Sequence, residues 1–481
     1  LLRQLRISRG AFPPLARFEA WIGDHALPAE EADAQATQRL ALTQLMMANS
    51  ITSMRRIAQI DWRDLVEQQS MMDAVLRGDP SGDYPRMTFA TRDWYRHEVE
   101  RIARRTRLRE DEVARRAVAL ALEHDALPAT DCRRHVGYYL VDHGWRQLVE
   151  RTGYRPGPRE ALHRWVCRHP TLVFVGGLSA AVVSAVAALL WLAEPTAHPD
   201  WRLLILLTLV PAIDVAVNAL NQLVTAALPP RVLAKLDLKE HGIPEACRTA
   251  VVIPTLFDSV ASVEEALENL EVQFLANREA NLHFALLSDF TDAPTEHVAG
   301  DAAIVTAATE GIRRLNARYA PETEDACYLF HRPRRWNAAQ GVWMGWERKR
   351  GKLGEFNRFV RGDDDGAFSE TVGNMAALRE LQYVITLDAD TMLPPDAAPL
   401  LIGTLAHPLN RAVYDGGRGR VVRGYGILQP RVAVSLPSAH ASRFAAIHSG
   451  HPGVDPYTTA VSDVYQDLFG EGSFTGKGIY D

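Results

Sequence analysis

A run of 22 residues without a charged side chain, Leu172 to Ala193, constrains this chain more than any other feature. As a helix rising about 1.5 Å per residue it would be about 33 Å long, enough to cross the hydrocarbon core of a bilayer, which is about 30 Å thick. A buried core helix is the alternative, but the length favours a membrane span. A second apolar run, Leu203 to Leu228, contains Pro211 and Asp214. We therefore predict a two-helix transmembrane hairpin over residues 166–232.

Basic residues flank the predicted hairpin at both of its outer ends. Arg164 and Arg168 precede the first span, and Arg231 and Lys235 follow the second. Positively charged flanking residues are retained on the cytoplasmic side of a membrane. Both outer ends are therefore expected in the cytoplasm, with residues 194–202 as a short outward loop, and the chain after the hairpin should be cytosolic.

Three polar residues interrupt the second apolar run. Asp214, Asn218 and Asn221 are spaced so that they share one face of a helix. A polar face is costly in lipid, so we expect it to point at a neighbouring helix. Contact between helices is the favoured interpretation, and a role in a substrate path is the alternative.

Residues 1–165 have the pattern of an α-helical cytosolic region. Apolar residues between positions 40 and 51 recur at roughly helical intervals before a polar stop at Ser53, and a charge-rich stretch from Trp94 to Leu122 repeats the pattern. The net charge of −6 gives no basic excess that would indicate a nucleic-acid partner. The four cysteines are far apart and form no C-x-x-C pair, as expected for reduced thiols in a cytosol-facing protein.

Residues 245–481 have an α/β pattern. Three short apolar runs each end at a turn or an aspartate: Val251 to Leu256, Leu282 to Asp289, and Tyr383 to Asp388. Strands of this buried type, with helices between them, predict a doubly wound, mostly parallel sheet. Ligands bind outside the carboxyl ends of the strands in such sheets. The residues at these ends are therefore the candidate functional residues.

Carboxylates follow two of these runs. Asp388 and Asp390, two positions apart at a strand end, can bind one hard divalent cation, Mg²⁺ or Mn²⁺, which usually keeps substrate phosphates among its ligands. A solvated turn is the alternative for this D-x-D pattern taken alone. Asp289, at the end of the second run, can accept a hydrogen bond from a nucleobase or can instead cap a turn or helix.

A basic segment surrounds Lys352. The glycines at 351 and 354 in Gly351-Lys-Leu-Gly-Glu-Phe-Asn357 would let the backbone approach an anion closely. We expect Lys352 to bind a diphosphate. For the neighbouring basic residues, a diphosphate and an anionic lipid surface are equal alternatives; these residues are Arg348, Lys349, Arg350 and Arg358.

A glycine-rich segment, Gly470-Glu-Gly-Ser-Phe-Thr-Gly-Lys-Gly478, does not have the spacing of a nucleotide-binding P-loop. Glu471 stands where the first glycine is needed, and a glycine follows Lys477 where Ser or Thr is required. A flexible loop over a sugar site is the expected use of these glycines. Glu471 is a candidate acceptor-site carboxylate, with Asp463 and Asp467 nearby in sequence.

The order of these motifs resembles that of the processive inverting glycosyltransferases of the GT-A fold, such as cellulose synthases. The motifs are the Val251-Val-Ile-Pro-Thr strand, Asp289, Lys352-x-Gly-x-x-Asn357 and Asp388-Ala-Asp390. Longer segments resemble the cyclic β-1,2-glucan synthase family, and this resemblance covers almost the whole chain. They are Trp343 to Asn357, Gly424 to Arg431 and Asp463 to Asp481, with Ala48 to Ser53 and Phe89 to Trp94 upstream.

The resemblance implies a multi-pass enzyme of the bacterial inner membrane that uses UDP-glucose and a divalent metal. Such an enzyme builds a β-1,2-glucan with inversion, and further C-terminal carbohydrate-active domains release the glucan as a ring. The resemblance also implies residue roles. Pro254 and Thr255 would bind UDP-glucose, Asp289 would contact the uracil, and Lys352 and Asn357 would bind the diphosphate region. Asp388 would contact UDP, and Asp390 and Asp388 would bind the metal.

In the processive enzymes the general base lies in a later Asp motif, which we expect beyond Asp481. The glycosyltransferase domain over residues 245–481 is therefore expected to be truncated, and the cyclising domains to lie outside this chain. Two alternatives remain open. One is a membrane β-1,4- or β-1,3-glucan synthase, and the other is a non-catalytic membrane scaffold with a vestigial sugar-nucleotide site.

Overall fold

The computed structural model describes most of the chain, in two compact units that comprise residues 1–74 and 75–481. The described residues are 29–192, 201–228, 232–319, 325–363, 366–430, 442–448 and 476–481, with shorter pieces at 20, 21, 24, 440, 464, 468–470, 472 and 474.

The first unit contains helices α1 (Ala29–Gln59) and α2 (Trp62–Gln69), and α3 (Met71–Leu76) begins at its end. The predicted stop at Ser53 is wrong, because α1 continues for six further residues to Gln59. A single serine costs a helix little when its side chain faces solvent, and Ser53 is exposed.

The second unit begins with a helical region, and the prediction of helices before the apolar runs is confirmed. Its helices are α4 (Phe89–Ala103), α5 (Glu110–Leu122), α6 (Gly137–Val141), α7 (Trp145–Thr152) and α8 (Pro158–Arg168). Thr88 caps α4 by accepting a hydrogen bond from the backbone N–H of Thr91. The apolar sides of α4 to α7 are buried in a core that includes Tyr95, Val99, Val113, Leu120 and Leu148, whereas α8 has no buried side chain.

A buried polar cluster fixes this helical region internally. The carboxylate of Asp79 lies 2.7 Å from His135 Nδ1, and neither side chain is exposed. The same carboxylate accepts hydrogen bonds from the Ser81 hydroxyl at 2.6 Å and the Val136 N–H at 2.9 Å. Burial alone would raise the pKa of Asp79, but these partners together hold it below its usual value of 3.8.

Changing Asp79 to alanine should lower the free energy of unfolding by about 3 kcal/mol, because His135 and the Val136 N–H would lose their buried partner. The measurement is denaturant unfolding of the purified chain at pH 7, with Asp125→Ala as the control for an exposed aspartate paired with Arg134. Folding lowers the pKa of Asp79. The contribution of Asp79 to the free energy of unfolding is therefore present above about pH 4 and is lost as the pH falls through the pKa of the folded protein. Equal unfolding free energies for the two variants would contradict this role.

The apolar runs form two long helices, α9 (Pro170–Leu192) and α10 (Trp201–Ala227). Both contain stretches long and apolar enough to cross a membrane, Pro170–Ala188 and Ile205–Ala227. The connection at 193–200 lies outside the described residues. The helices pack closely at Gly177, where an added Cβ would lie 3.3 Å from Leu220 Cδ1.

α9 does not cover the polar face of α10 in the described part of the chain, because Asp214 and Asn218 are exposed and Asn221 is half-buried. A neighbouring helix for this face therefore stays a prediction. Side chains four residues apart form the buried face of α10 instead; they are Ala212, Ala216, Leu220 and Val224. Small and branched apolar side chains allow a closer approach to the glycine on α9 than a polar face would.

The rest of the second unit is an α/β fold with a seven-stranded, mostly parallel sheet, as predicted and consistent with the GT-A fold. Along the chain the strands are β1 (Thr249–Phe257), β2 (Leu282–Phe290), β3 (Cys327–Arg332), β4 (Arg335–Asn337), β5 (Val342–Met344), β6 (Glu370–Val372) and β7 (Tyr383–Thr386). They continue with β8 (Val413–Asp415), β9 (Arg420–Arg423), β10 (Ile427–Leu428) and β11 (Gly478–Tyr480). The order of strands in the seven-stranded sheet is β10-β11-β7-β1-β2-β3-β6.

Helices cover both faces of this sheet. They are α11 (Val260–Ala276), α12 (Asp301–Tyr319), α13 (Arg348–Val360) and α14 (Ala397–Leu405). A short helix, α15 (Arg443–His448), follows β10. Phe274 of α11 packs edge-to-face on Phe284 of β2, whereas Phe356 of α13 packs in one cluster with Ala285 and Leu287 of the same strand. Since neighbouring residues of a strand point to opposite faces, α11 and α13 lie on opposite sides of the sheet.

The glycine-rich segment ends as a strand, which differs from the predicted loop. Gly478–Tyr480 pairs antiparallel with both β7 and β10. An added Cβ on Gly478 would lie 2.3 Å from the carbonyl oxygen of Leu428, so only glycine allows this close pairing. Upstream of the strand, Leu468 packs against α10, together with Val464.

Candidate functional site

The carboxyl ends of three adjacent parallel strands meet at one edge of the sheet. β1 lies between β2 and β7 and is parallel to both. Thr255 lies near the end of β1, Asp289 near the end of β2, and Asp388 two residues beyond the end of β7. The topology therefore brings together three of the residues that the sequence indicates separately.

Pro254 occupies a central strand at a point where its missing N–H costs no ladder hydrogen bond. The Val252 carbonyl accepts from the Leu387 N–H on the β7 side, and residues two apart in a strand point the same way. The backbone nitrogen of Pro254 therefore points toward β7. The pairing between β1 and β7 has already ended at Val252, so no strand partner is left without a donor there. The carbonyl of the next residue, Thr255, accepts a hydrogen bond from Lys352 Nζ.

Asp289 is almost completely enclosed. Its side chain is 1% exposed and binds Arg332 through two parallel hydrogen bonds of 2.7 and 2.8 Å. Lys352 Nζ lies 3.1 Å from its second oxygen. An added Cβ on Gly345 would fall 2.4 Å from the Asp289 carboxylate, so glycine is needed where this loop passes over it. The predicted uracil contact of Asp289 remains a prediction, and a nucleobase would have to reach a carboxylate that already has two cationic partners.

A buried network of charges extends from Asp289. Arg332 also donates to Glu355 at 2.7 Å, and both side chains are at most 4% exposed. Burial lowers the pKa of Arg332, but its two carboxylate partners outweigh that effect and raise it. Lys352 is 3% exposed, and burial lowers its pKa even though Asp289 acts in the opposite direction. Lys352 and Asp289 thus form a fixed pair below the surface of the site.

Asp388 lies between two lysines. Lys349 Nζ contacts one carboxylate oxygen and Lys477 Nζ lies 3.1 Å from the other. Burial would raise the pKa of Asp388, but the two ammonium groups outweigh it and hold the pKa below its usual value. Asp388 is therefore ionised at neutral pH. It is also 35% exposed, so a ligand can reach it.

Asp390 is exposed and accepts a hydrogen bond of 3.3 Å from the Thr391 hydroxyl. Its carboxylate and that of Asp388 are the donor type that Mg²⁺ uses, with water and substrate phosphates completing the coordination. The donor chemistry therefore fits a divalent cation. No three His, Cys, Asp or Glu side chains form a metal cage in the described part of the chain, so a cation here would need oxygens from the substrate.

Asn357 connects the helix α13 to the strand β11. Its side-chain oxygen accepts a hydrogen bond of 2.9 Å from the Tyr480 hydroxyl. Burial raises the pKa of Tyr480 to about 12, so the hydroxyl stays protonated and can donate. The proposed role of Asn357 at the diphosphate is untested by these contacts. Glu471, Asp463 and Asp467 lie outside the described residues.

The basic residues around Lys352 differ in their partners. Arg348 lies 2.6 Å from Asp292, and Arg350 pairs with Glu347. Arg358 lies 3.9 Å from Glu355. Lys349 contacts Asp388 and Lys352 contacts Asp289, and the two lysines lie three residues apart on one side of α13.

The sequence did not indicate Arg332, Glu355 or Lys477 as site residues, and it indicated Lys349 only as one of four basic residues with two alternative roles. Arg332 and Glu355 complete the buried network, and Lys349 and Lys477 flank Asp388. Lys349 had a local signal, because it lies in the basic segment before Lys352. The contact of Lys477 depends on strand pairing between residues nearly a hundred positions apart, and no local pattern indicates it.

No family model matches the chain. It is similar to the cyclic β-(1,2)-glucan synthase NdvB of Rhizobium meliloti, with 39% identity over 471 residues, which is 96% of this chain. The chain spans only 16% of the length of that relative.

Proposed function

We propose that this chain, which is a relative of the cyclic β-1,2-glucan synthase family, forms a glycosyltransferase region of a membrane-bound glucan synthase. It would transfer glucose from UDP-glucose to a growing β-1,2-glucan with inversion at the anomeric carbon. The observation that carries the proposal is the grouping of Asp289, Asp388 and two lysines of α13 at the carboxyl edge of the sheet. This is the edge at which ligands bind in sheets of this kind.

In the proposed reaction, the 2-hydroxyl of the acceptor glucose attacks the anomeric carbon of UDP-α-glucose. The bond from that carbon to the diphosphate oxygen breaks, and UDP leaves with the electron pair. A divalent cation held by Asp390 and Asp388 would neutralise charge on the departing diphosphate. Fixed positive charge near Asp388 adds electrostatic stabilisation without reorganisation during the reaction. We assign no described residue as the base that takes the proton of the acceptor hydroxyl.

The two apolar helices support a membrane location. Their length and composition suit a bilayer, and Arg164 and Arg168 lie in α8, directly before α9. By the positive-inside rule the α/β fold would lie on the cytosolic side of a bacterial inner membrane.

The test is product analysis with the intact protein in membranes. Membranes that contain it are incubated with labelled UDP-glucose and Mg²⁺ or Mn²⁺, and the glucan is analysed for its linkages. We expect 2-linked glucose. Products with 4-linked or 3-linked glucose would instead indicate a different membrane glucan synthase. The absence of both transfer and UDP affinity would favour a non-catalytic scaffold and contradict the proposal.

A further inference from the structure

The β4–β5 hairpin lies at the carboxyl edge of the sheet, beside the candidate site. It begins three residues after Arg332, which ends β3 and binds Asp289. It ends at Met344, and the next residue, Gly345, passes directly over the Asp289 carboxylate. Ligands bind at this edge in sheets of this kind. The hairpin is therefore placed to contact a molecule that extends from the site.

Two tryptophans face each other across the hairpin. Trp336 and Trp343 are paired residues, with ring centroids 5.9 Å apart and ring planes inclined by 57°. The next pair, Arg335 and Met344, points to the opposite side, because neighbouring residues of a strand alternate between faces. That side packs on the fold, since Met344 is buried and Arg335 lies 3.3 Å from Glu355. The tryptophans are thus on the outer face of the hairpin.

The outer face is open to solvent. Trp336 is 51% exposed, and Trp343 is half-buried. A third tryptophan, Trp346, is 48% exposed directly after Gly345. Large apolar side chains that are exposed together commonly mark a binding site. We call Trp336 and Trp343 the tryptophan pair.

Backbone contacts hold the tryptophan pair in place. The Trp343 N–H donates to the Ala293 carbonyl at 2.8 Å, and the Ala293 N–H donates back at 2.9 Å. These bonds attach the hairpin to the segment after β2. In the turn, the Asn337 side chain accepts hydrogen bonds from the N–H groups of Ala339 and Gln340, at 3.0 and 3.3 Å. The aromatic surface is therefore formed before a ligand binds, which lowers the entropy cost of binding.

The basic residues that follow the hairpin have acidic partners. Arg348 lies 2.6 Å from Asp292, and Arg350 pairs with Glu347. These two pairs carry no net charge, so they give little attraction for an anionic lipid surface. An uncharged ligand suits the tryptophan pair better.

A glucan has the chemistry for such a surface. Each β-linked glucose ring carries C–H groups on both faces and hydroxyl groups around its edge. The C–H groups can stack on the electron-rich face of an indole, and the indole N–H can donate to a hydroxyl. A glucan is uncharged and, in the proposed reaction, extends away from the site as it grows. It therefore fits both the chemistry and the position of the tryptophan pair.

We propose that the tryptophan pair binds the growing glucan by stacking against its glucose rings. This inference rests on the proposed function, because it assumes that the glucan is extended at the strand ends. It gives the acceptor a binding surface next to the nucleotide, on residues that the candidate site does not include.

The test is oxidation of individual tryptophans in the intact protein in detergent. Hydroxyl radicals oxidise exposed indoles, and mass spectrometry of the peptides gives the rate for each one. We expect a linear oligosaccharide of β-1,2-linked glucose to slow the oxidation of Trp336 and Trp343, whereas UDP alone should not. Trp62 is the internal control, because it is 51% exposed, as Trp336 is, and its rate should not change.

Substitutions in the pair test whether both rings contact the same glucan. In Trp343→Ala, the oligosaccharide concentration that gives half of the protection of Trp336 should rise about tenfold, because one stacking partner is lost. Trp343→Phe keeps an aromatic face and should stay within about threefold of the unchanged protein. Trp62→Ala is the matched control and should not change this concentration. Equal concentrations in Trp343→Ala and the unchanged protein, or no recovery in Trp343→Phe, would contradict the stacking role.

Other results would overturn the inference while the proposed function stands. One is a protein that binds UDP but whose tryptophan pair the oligosaccharide does not protect. Protection by UDP alone would indicate stacking of the nucleobase, and protection by phosphatidylglycerol vesicles but not by the oligosaccharide would indicate a lipid surface. Slow oxidation of the pair without any ligand would show that another part of the protein covers it. If the unchanged protein binds no UDP, the proposed function fails, whereas protection by the oligosaccharide would still support a glucan-binding surface.

Discussion

Asp390→Ala in the intact protein should reduce metal-dependent transfer from UDP-glucose by about 10³-fold or more, because charge stabilisation by a bound metal contributes several kcal/mol. Asp390 is exposed beside Asp388, so it can bind a cation without breaking a buried interaction. The change should therefore leave the thermal midpoint of unfolding nearly unaltered. The measurement is the initial rate of glucose transfer in membranes over a range of Mn²⁺ or Mg²⁺ concentrations.

Asp125 offers a control for this variant, away from the strand ends. It is an exposed aspartate of the helical region and pairs with Arg134. Asp125→Ala should keep the rate within about threefold, as is usual for surface substitutions. Transfer by Asp390→Ala at the rate of this control would exclude the metal role of Asp390.

Of the single substitutions in the α/β fold discussed here, Arg332→Met should lower the free energy of unfolding most. The guanidinium of Arg332 is the shared partner of Asp289 and Glu355, all of them almost fully buried. Removing it leaves two buried carboxylates without their main cation, which costs about 3 to 5 kcal/mol in comparable cases. Denaturant unfolding of the purified protein measures this loss.

The control for this prediction is an exposed ion pair. Arg318 pairs with Glu271 and is 66% exposed, so Arg318→Met should cost at most about 1 kcal/mol. Adding Asp289→Asn and Glu355→Gln to Arg332→Met should recover part of the loss, because neutral side chains cost less to bury than unpaired charges. Equal losses in Arg332→Met and Arg318→Met would show that the buried network does not stabilise the fold as we infer.

Three strands of the sheet, β1, β2 and β7, were predictable from sequence because each is a short, continuous apolar run that ends at a turn or an aspartate. The runs that end at Asp289 and Asp388 correspond to β2 and β7, and parallel topology then brings their ends together. The two apolar helices were predictable for a similar reason, since their length and lack of charge are local properties of the sequence.

Features that depend on tertiary packing were not predictable in this way. The buried face of α10 uses Ala216 and Leu220 and not the polar residues, because close approach to Gly177 decides the packing. Arg332 lies within a strand pattern and gives no local sign of its two carboxylate partners. Lys477 reaches Asp388 only because β11 adds to the sheet beside β7, a pairing between distant segments.

Titration of UDP into the intact protein, with and without Mn²⁺ and followed by calorimetry, tests the central claim most directly. The claim is that a divalent cation on Asp388 and Asp390, with Lys349 beside them, holds a nucleoside diphosphate at the carboxyl edge of the sheet. The account predicts saturable binding of UDP that is strengthened by the metal and that loses this dependence in Asp390→Ala. Absence of UDP binding with and without metal, in a folded protein, would contradict it.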